Sequence, residues 1–171
     1  MNGRIVNVLF PGHIQSNEHA DQTIKTHNEL EHTMSTTQNT EYAALLSRLT
    51  LGTMFVAHAL LKIMVFTPAG FAGYLTSIGL PDLLTYPTII AEFGGGLLLI
   101  AGIQTRFISA ALAPILLGSI IFAHGANGWL FSNTGGGWEF PAVLIALSGI
   151  QVLLGDGAYS SQKFFSGATK A

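Results

Sequence analysis

The chain has 171 residues, a net charge of −2 and no cysteine, and only 9% of its residues are charged. Soluble domains carry roughly 25% charged residues; with 49% hydrophobic residues and a mean hydropathy of +0.49, lipid is the natural solvent for this chain. The absence of cysteine excludes disulfides, thiolate nucleophiles, cysteine-ligated clusters and thiol relays, and the absence of a basic block excludes a nucleic-acid partner.

Residues 1–43 read as a disordered polar tail. They hold four of the six histidines (His13, His19, His27 and His32) and five of the nine acids, with almost no hydrophobic periodicity. The apolar patch Val6–Pro11 is too short for a secretory segment. The stretch MSTTQNTEYAALLSRL makes Met34 the expected true start. A metal-binding role for the histidines is the alternative, but their spacing is irregular.

Four apolar runs follow within residues 44–158: Ala44–Phe66, Tyr86–Ile103, Phe107–Ala123 and Phe140–Leu154. A spanning helix needs about 20 residues. The fourth run reaches that length least well. Short connections make an all-α, up-down four-helix membrane bundle the expected fold. Arg48 opens the first run and Arg106 lies in the turn between the second and third. Lys163 and Lys170 occupy a short C-terminal tail, residues 159–171. The connections Thr67–Thr85 and Gly125–Trp138 carry no Lys or Arg. By the positive-inside rule both termini are cytoplasmic and those two connections lie outside. Tyr74, Tyr86, Trp129 and Trp138 then gather at the outer interface. Gly94, Gly95, Gly96 and Gly118 are candidates for close helix packing, and Pro114 for a kink.

Ionisable residues at membrane depth carry the functional signal. Each costs at least about 2.5–3.5 kcal/mol on insertion scales, so it faces the bundle interior and seeks a partner. His58 and Lys62 are four apart on one helix face. With alternating helix directions, His58, Lys62, Glu92, His124 and Glu139 reach similar depth near the outer side. The structural alternative is that Lys62 snorkels, His124 and Glu139 are interfacial, and Glu92 pairs with Lys62 only to fix register. Glu92 stands apart because AEFGGG sets a carboxylate beside the closest-packing segment. Metal binding by the histidines and glutamates lacks an HxxxH or ExxH spacing, and haem ligation by His58 and His124 has no further support. No phosphate-binding loop or nucleophile elbow is present.

The segments RLTLGTMFVAHALLKI, FAGYLTSIGLP, AEFGGGLLLIAGIQTR and WEFPAVLIALSGIQVLLGDGAYS resemble successive parts of the DoxX family of bacterial inner-membrane proteins, over about residues 45–161. Arg48, His58, Lys62, Glu92 and the Gly155-Asp156-Gly157 stretch match the family pattern, while Ala59 stands where many relatives have Gly. The resemblance implies a redox-associated subunit in the inner (plasma) membrane. A quinone would be its small-molecule partner, Glu92 or His58 the proton carrier, and Lys62 the donor to a carbonyl oxygen, with His124 and Glu139 nearby. No cofactor is evident in the sequence itself. Electrons would come from a soluble oxidoreductase partner, and homo-oligomers fit the glycine-rich face. The other class left open is a non-enzymatic scaffold or small-solute transporter.

Overall fold

The computed structural model describes residues 11–162, with side chains from Asp21 onward; residues 6–10 of the apolar patch and the basic Lys163 and Lys170 lie outside them, as do the His13 and His19 side chains. The described residues form helices and connecting turns with no strand. Helix α1 runs Pro11–Leu60 and passes into a π-helical turn, Leu61–Val65. Helix α2 (Thr67–Ser77) and a 3₁₀ turn (Asp82–Leu84) lead to α3, Thr85–Ala101. Helix α4, Thr105–Gly118, continues as a second π-helical segment, Ser119–His124, and a 3₁₀ turn, Gly125–Asn127. Helix α5 spans Glu139–Leu154.

Two compact units meet between Asn39 and Thr40. In the first, residues 21–39 are helical and exposed throughout, where the sequence reads as structureless. No Gly or Pro interrupts the chain between Gly12 and Gly52, so nothing breaks the backbone ladder. Lys25 donates to Asp21 at 2.6 Å across one turn. Such exposed pairs add only about 0.2–0.5 kcal/mol each.

The second unit holds the core. Leu51 and Phe55 of α1, Leu99 of α3, Leu112 and Leu116 of α4, and Leu144 of α5 meet there. Helix α4 packs chiefly on α5 and then on α3. Outside this core the apolar side chains turn outward: Ile90, Phe107, Ile121 and Leu153 are all exposed, with Leu153 at 78%. Water would not tolerate so much exposed hydrocarbon, but a bilayer would. Among the described residues, three helical stretches are long and apolar enough to cross a membrane: Asp21–Val65, Asp82–Ala101 and Thr105–Asn127. Helix α5 is apolar but has 16 residues. At 1.5 Å per residue it covers about 24 Å, short of a hydrocarbon core of about 30 Å.

The connection after the first run is not a loop. Thr67-Pro68 starts α2: the Thr67 hydroxyl accepts the Gly70 N–H at 3.2 Å, and proline suits the first helical turn. Phe71 and Leu75, one turn apart, then bury against Ile89 of α3, with Ile78 and Leu80 at the edge. Helix α2 thus folds back as one wall of the site.

The other end of the unit is tied by Arg48, 1% exposed. Its guanidinium donates to the Leu99 and Ile100 carbonyls at the C-terminus of α3, and to those of Ala158 and Tyr159 at 2.8 and 3.1 Å. A cation is favoured at a helix C-terminus by the macrodipole and the unpaired carbonyls. The N-terminus of α4 is capped from a distance, since Asp156 accepts the Thr105 N–H and hydroxyl, each at 2.8 Å. Arg48 and Asp156 of the family-like pattern are therefore helix-end ties.

Candidate functional site

The site is built where α1 ends. His58 is fixed by its own helix, Nδ1 lying 2.8 Å from the Met54 carbonyl oxygen. Its ring stacks on Phe140 of α5 at a centroid distance of 6.1 Å. Beyond it the helix widens into the π turn, closed by the Phe66 N–H donating to the Leu61 carbonyl at 3.0 Å. Such turns recur at functional sites because they re-aim side chains within a continuous helix. Lys62 lies in this turn.

The Lys62 ammonium reaches α3. It donates to both oxygens of Glu92, at 3.0 and 2.7 Å, with the side chains 13% and 5% exposed. Phe71 of α2 places its ring face 5.2 Å from Nζ, a cation–π contact. The pair is nearly dry, so its attraction is little screened, and each charge would be costly without the other. The sequence brings the two together because α1 and α3 approach closely: a methyl on Gly96 would lie 2.8 Å from the Gly52 carbonyl oxygen.

A cavity of about 810 Å³ opens beside the pair. Phe55, Phe71 and Leu116 contribute apolar wall, and His58, Lys62, Glu92 and His124 its ionisable groups. Tyr74 and Leu75 close the α2 side, and Phe140 and Leu144 the α5 side. His124 ends the second π-helical segment, its Nδ1 3.0 Å from the Gly136 carbonyl oxygen. Of the five residues singled out from the sequence, the structure brings these four to one cavity.

Glu139 is placed elsewhere. Its carboxylate accepts the Phe131 N–H at 2.7 Å, and its own N–H donates to the Trp129 carbonyl at 3.0 Å. It therefore fastens the 125–138 connection, where Trp129 and Trp138 meet edge to face at 4.5 Å. Asn127 adds to that fastening through the Gly135 and Gly136 carbonyls. Among the described residues, no group of three or more His, Asp or Glu is arranged to hold a metal ion. Among the wall residues that the sequence did not single out are Phe71, Tyr74 and Leu75, whose one-turn apolar spacing after Thr-Pro was the available signal.

Described residues that are all helix and turn, with outward-facing hydrocarbon and a buried ion pair beside an apolar cavity, mark a membrane protein. Residues 43–125, just under half of the chain, match the model of the DoxX family. The match takes in α3 and both π-helical turns and stops before α5, so the last of the resembling segments lies beyond it. An 81-residue stretch is 35% identical to the Bacillus subtilis (strain 168) protein named "Putative oxidoreductase CatD", covering 47% of this chain and 59% of that relative. No solved structure matches.

Proposed function

We propose that the chain is the membrane subunit of a quinone-linked oxidoreductase, with the quinone headgroup in the cavity beside Lys62 and Glu92. The observation that carries this reading is the ion pair itself, bidentate and 5% exposed on the Glu92 side, set in the wall of an apolar cavity of about 810 Å³. Small-molecule sites are typically about 300–1,000 Å³, mostly apolar, with a few placed polar groups. The name of the Bacillus subtilis relative supports a redox association.

In this reading α1, α3, α4 and α5 cross the bacterial inner membrane as an up-down bundle. Arg48 and Arg106 mark the cytoplasmic side, and α2 with the 125–138 connection lies towards the outer face. Lys62 has three N–H donors and Glu92 uses two, so the third can donate to a quinone carbonyl oxygen. Reduction to the quinol takes two electrons and two protons. A soluble oxidoreductase partner supplies the electrons, since this chain has no cysteine and no dinucleotide loop. Glu92 and His58 are the proton carriers at the cavity.

The test is extraction of the protein from native membranes in mild detergent, with mass spectrometry of what remains bound. Wild type is expected to retain close to one quinone per chain, and Glu92→Gln to lose at least tenfold of it. A stable, monodisperse wild-type protein carrying no quinone would favour the scaffold or solute-transport reading instead.

A further inference from the structure

Both histidines on the cavity wall are held in a defined tautomer. Nδ1 of His58 faces the Met54 carbonyl oxygen and Nδ1 of His124 the Gly136 carbonyl oxygen, at 2.8 and 3.0 Å. A carbonyl oxygen only accepts, so in each ring Nδ1 carries the hydrogen and donates it. In the neutral ring Nε2 is then an acceptor with an in-plane lone pair. Both residues line the cavity and both are half-buried. Stacking on Phe140 further limits rotation of the His58 ring.

With each Nε2 turned into the cavity that its residue lines, the wall supplies two lone-pair acceptors beside the third N–H of Lys62. A quinone carbonyl can use only the N–H and leaves the imidazole nitrogens unpaired. An aromatic hydroxyl uses both kinds of group, because its O–H donates to Nε2 while its oxygen accepts from Lys62. Discrimination of this kind is strong when a site's buried polar groups would otherwise lose their partner.

We propose that the cavity selects the reduced, dihydroxylated ring: it binds a 1,4-hydroquinone in preference to the corresponding quinone, with Nε2 of His58 and of His124 accepting the hydroxyl hydrogens. This rests on the cavity being a quinone site and adds which redox form it favours and through which atoms. Tighter binding of the reduced form pulls the bound couple towards reduction, the direction a subunit passing electrons into the quinone pool requires.

The experiment is anaerobic calorimetric titration of the purified protein in detergent with decyl-ubiquinol, decyl-ubiquinone and the dimethyl ether of the quinol. The ether keeps the ring and tail but has no hydroxyl to donate. Wild type is expected to bind the quinol at least tenfold more tightly than either other ligand. His58→Phe, which retains a ring against Phe140, is expected to bring the quinol and its ether within twofold of each other. Equal wild-type binding of all three ligands would overturn the tautomer-based selectivity while leaving the quinone site intact. Binding of none would overturn both. If His58→Phe fails to fold, the wild-type comparison of quinol with ether decides alone. A nitrogen-15 spectrum of the ligand-free protein showing hydrogen on Nε2 of either ring would also overturn the proposal.

Discussion

Replacing Glu92 with alanine is expected to destabilise the protein by about 3–5 kcal/mol, the largest loss for any single polar substitution at the cavity. Lys62, 13% exposed in the intact pair, would be left with its ammonium unpaired beside an apolar wall. The substitution removes a partner and does not remove the desolvation cost of the charge that stays. The double substitution Lys62→Met with Glu92→Leu removes both charges at similar volume. Buried pairs replaced in this way are often neutral or even stabilised, so the double variant is expected to recover most of the loss. Unfolding in mixed detergent micelles measures both. Quinone retention should fall in both variants, which separates the structural work of the pair from its work as a site. A double variant as unstable as Glu92→Ala would show that the destabilisation comes from lost shape and not from a stranded charge.

The second large effect is steric and distinguishes three adjacent glycines. A methyl on Gly96 would meet the Gly52 carbonyl oxygen at 2.8 Å and the Val56 backbone nitrogen at 3.0 Å. Both are backbone atoms of α1, so the helices must separate. The three atoms nearest a methyl on Gly95 are Leu112 side-chain carbons, the closest at 2.9 Å, and a methyl on Gly94 meets nothing within 4 Å. Gly96→Ala is expected to cost about 1–3 kcal/mol by overpacking and to weaken quinone retention, because the π turn that continues α1 carries Lys62 and α3 carries Glu92. Gly94→Ala should be neutral or slightly stabilising, since alanine is the better helix former. Parallel unfolding curves for the three single variants measure the order; equal losses at all three positions would contradict the close approach at Gly96.

Helices dominated by continuous apolar runs were legible in the sequence. Their limits follow local chemistry, as where Gly102, in the left-handed conformation at φ +71°, ends α3. Equal depth along alternating helices was enough to suggest that His58, Lys62, Glu92 and His124 meet. It could not place Glu139, because depth says nothing about direction around a helix. Phe140, Pro141 and Leu144 face the cavity, and a residue one step earlier is turned by about 100°. Glu139 accordingly points to the connection it fastens.

Other features lay beyond a reading by hydropathy. Helix α2 is too short and too mixed to register as a span, yet its Thr-Pro start and the spacing of Phe71, Leu75 and Ile78 specify a helix with one buried face. The π-helical turns at Leu61–Val65 and Ser119–His124 have no sequence signature, since they arise where tertiary contacts pull an extra residue into a turn. Arg48 reads from the sequence as a topology marker. Its four carbonyl partners lie on segments distant in sequence, and only the folded chain gathers them. The polar segment before residue 44 lacks apolar periodicity, which is informative about packing but not about whether an uninterrupted backbone stays helical.

The most direct test of the central claim is photolabelling with an azido-quinone in native membranes, followed by mapping of the modified residues. Because the label reacts where the headgroup sits, modification is predicted within Phe66–Leu80 of the α2 region and at Thr88 and Glu92 of α3, and excess unlabelled quinone should suppress it. Modification confined to outward-facing positions such as Ile90, Phe107 or Leu153, and unaffected by competitor, would mean that quinone meets this protein only as a membrane solute and that the cavity is not its site.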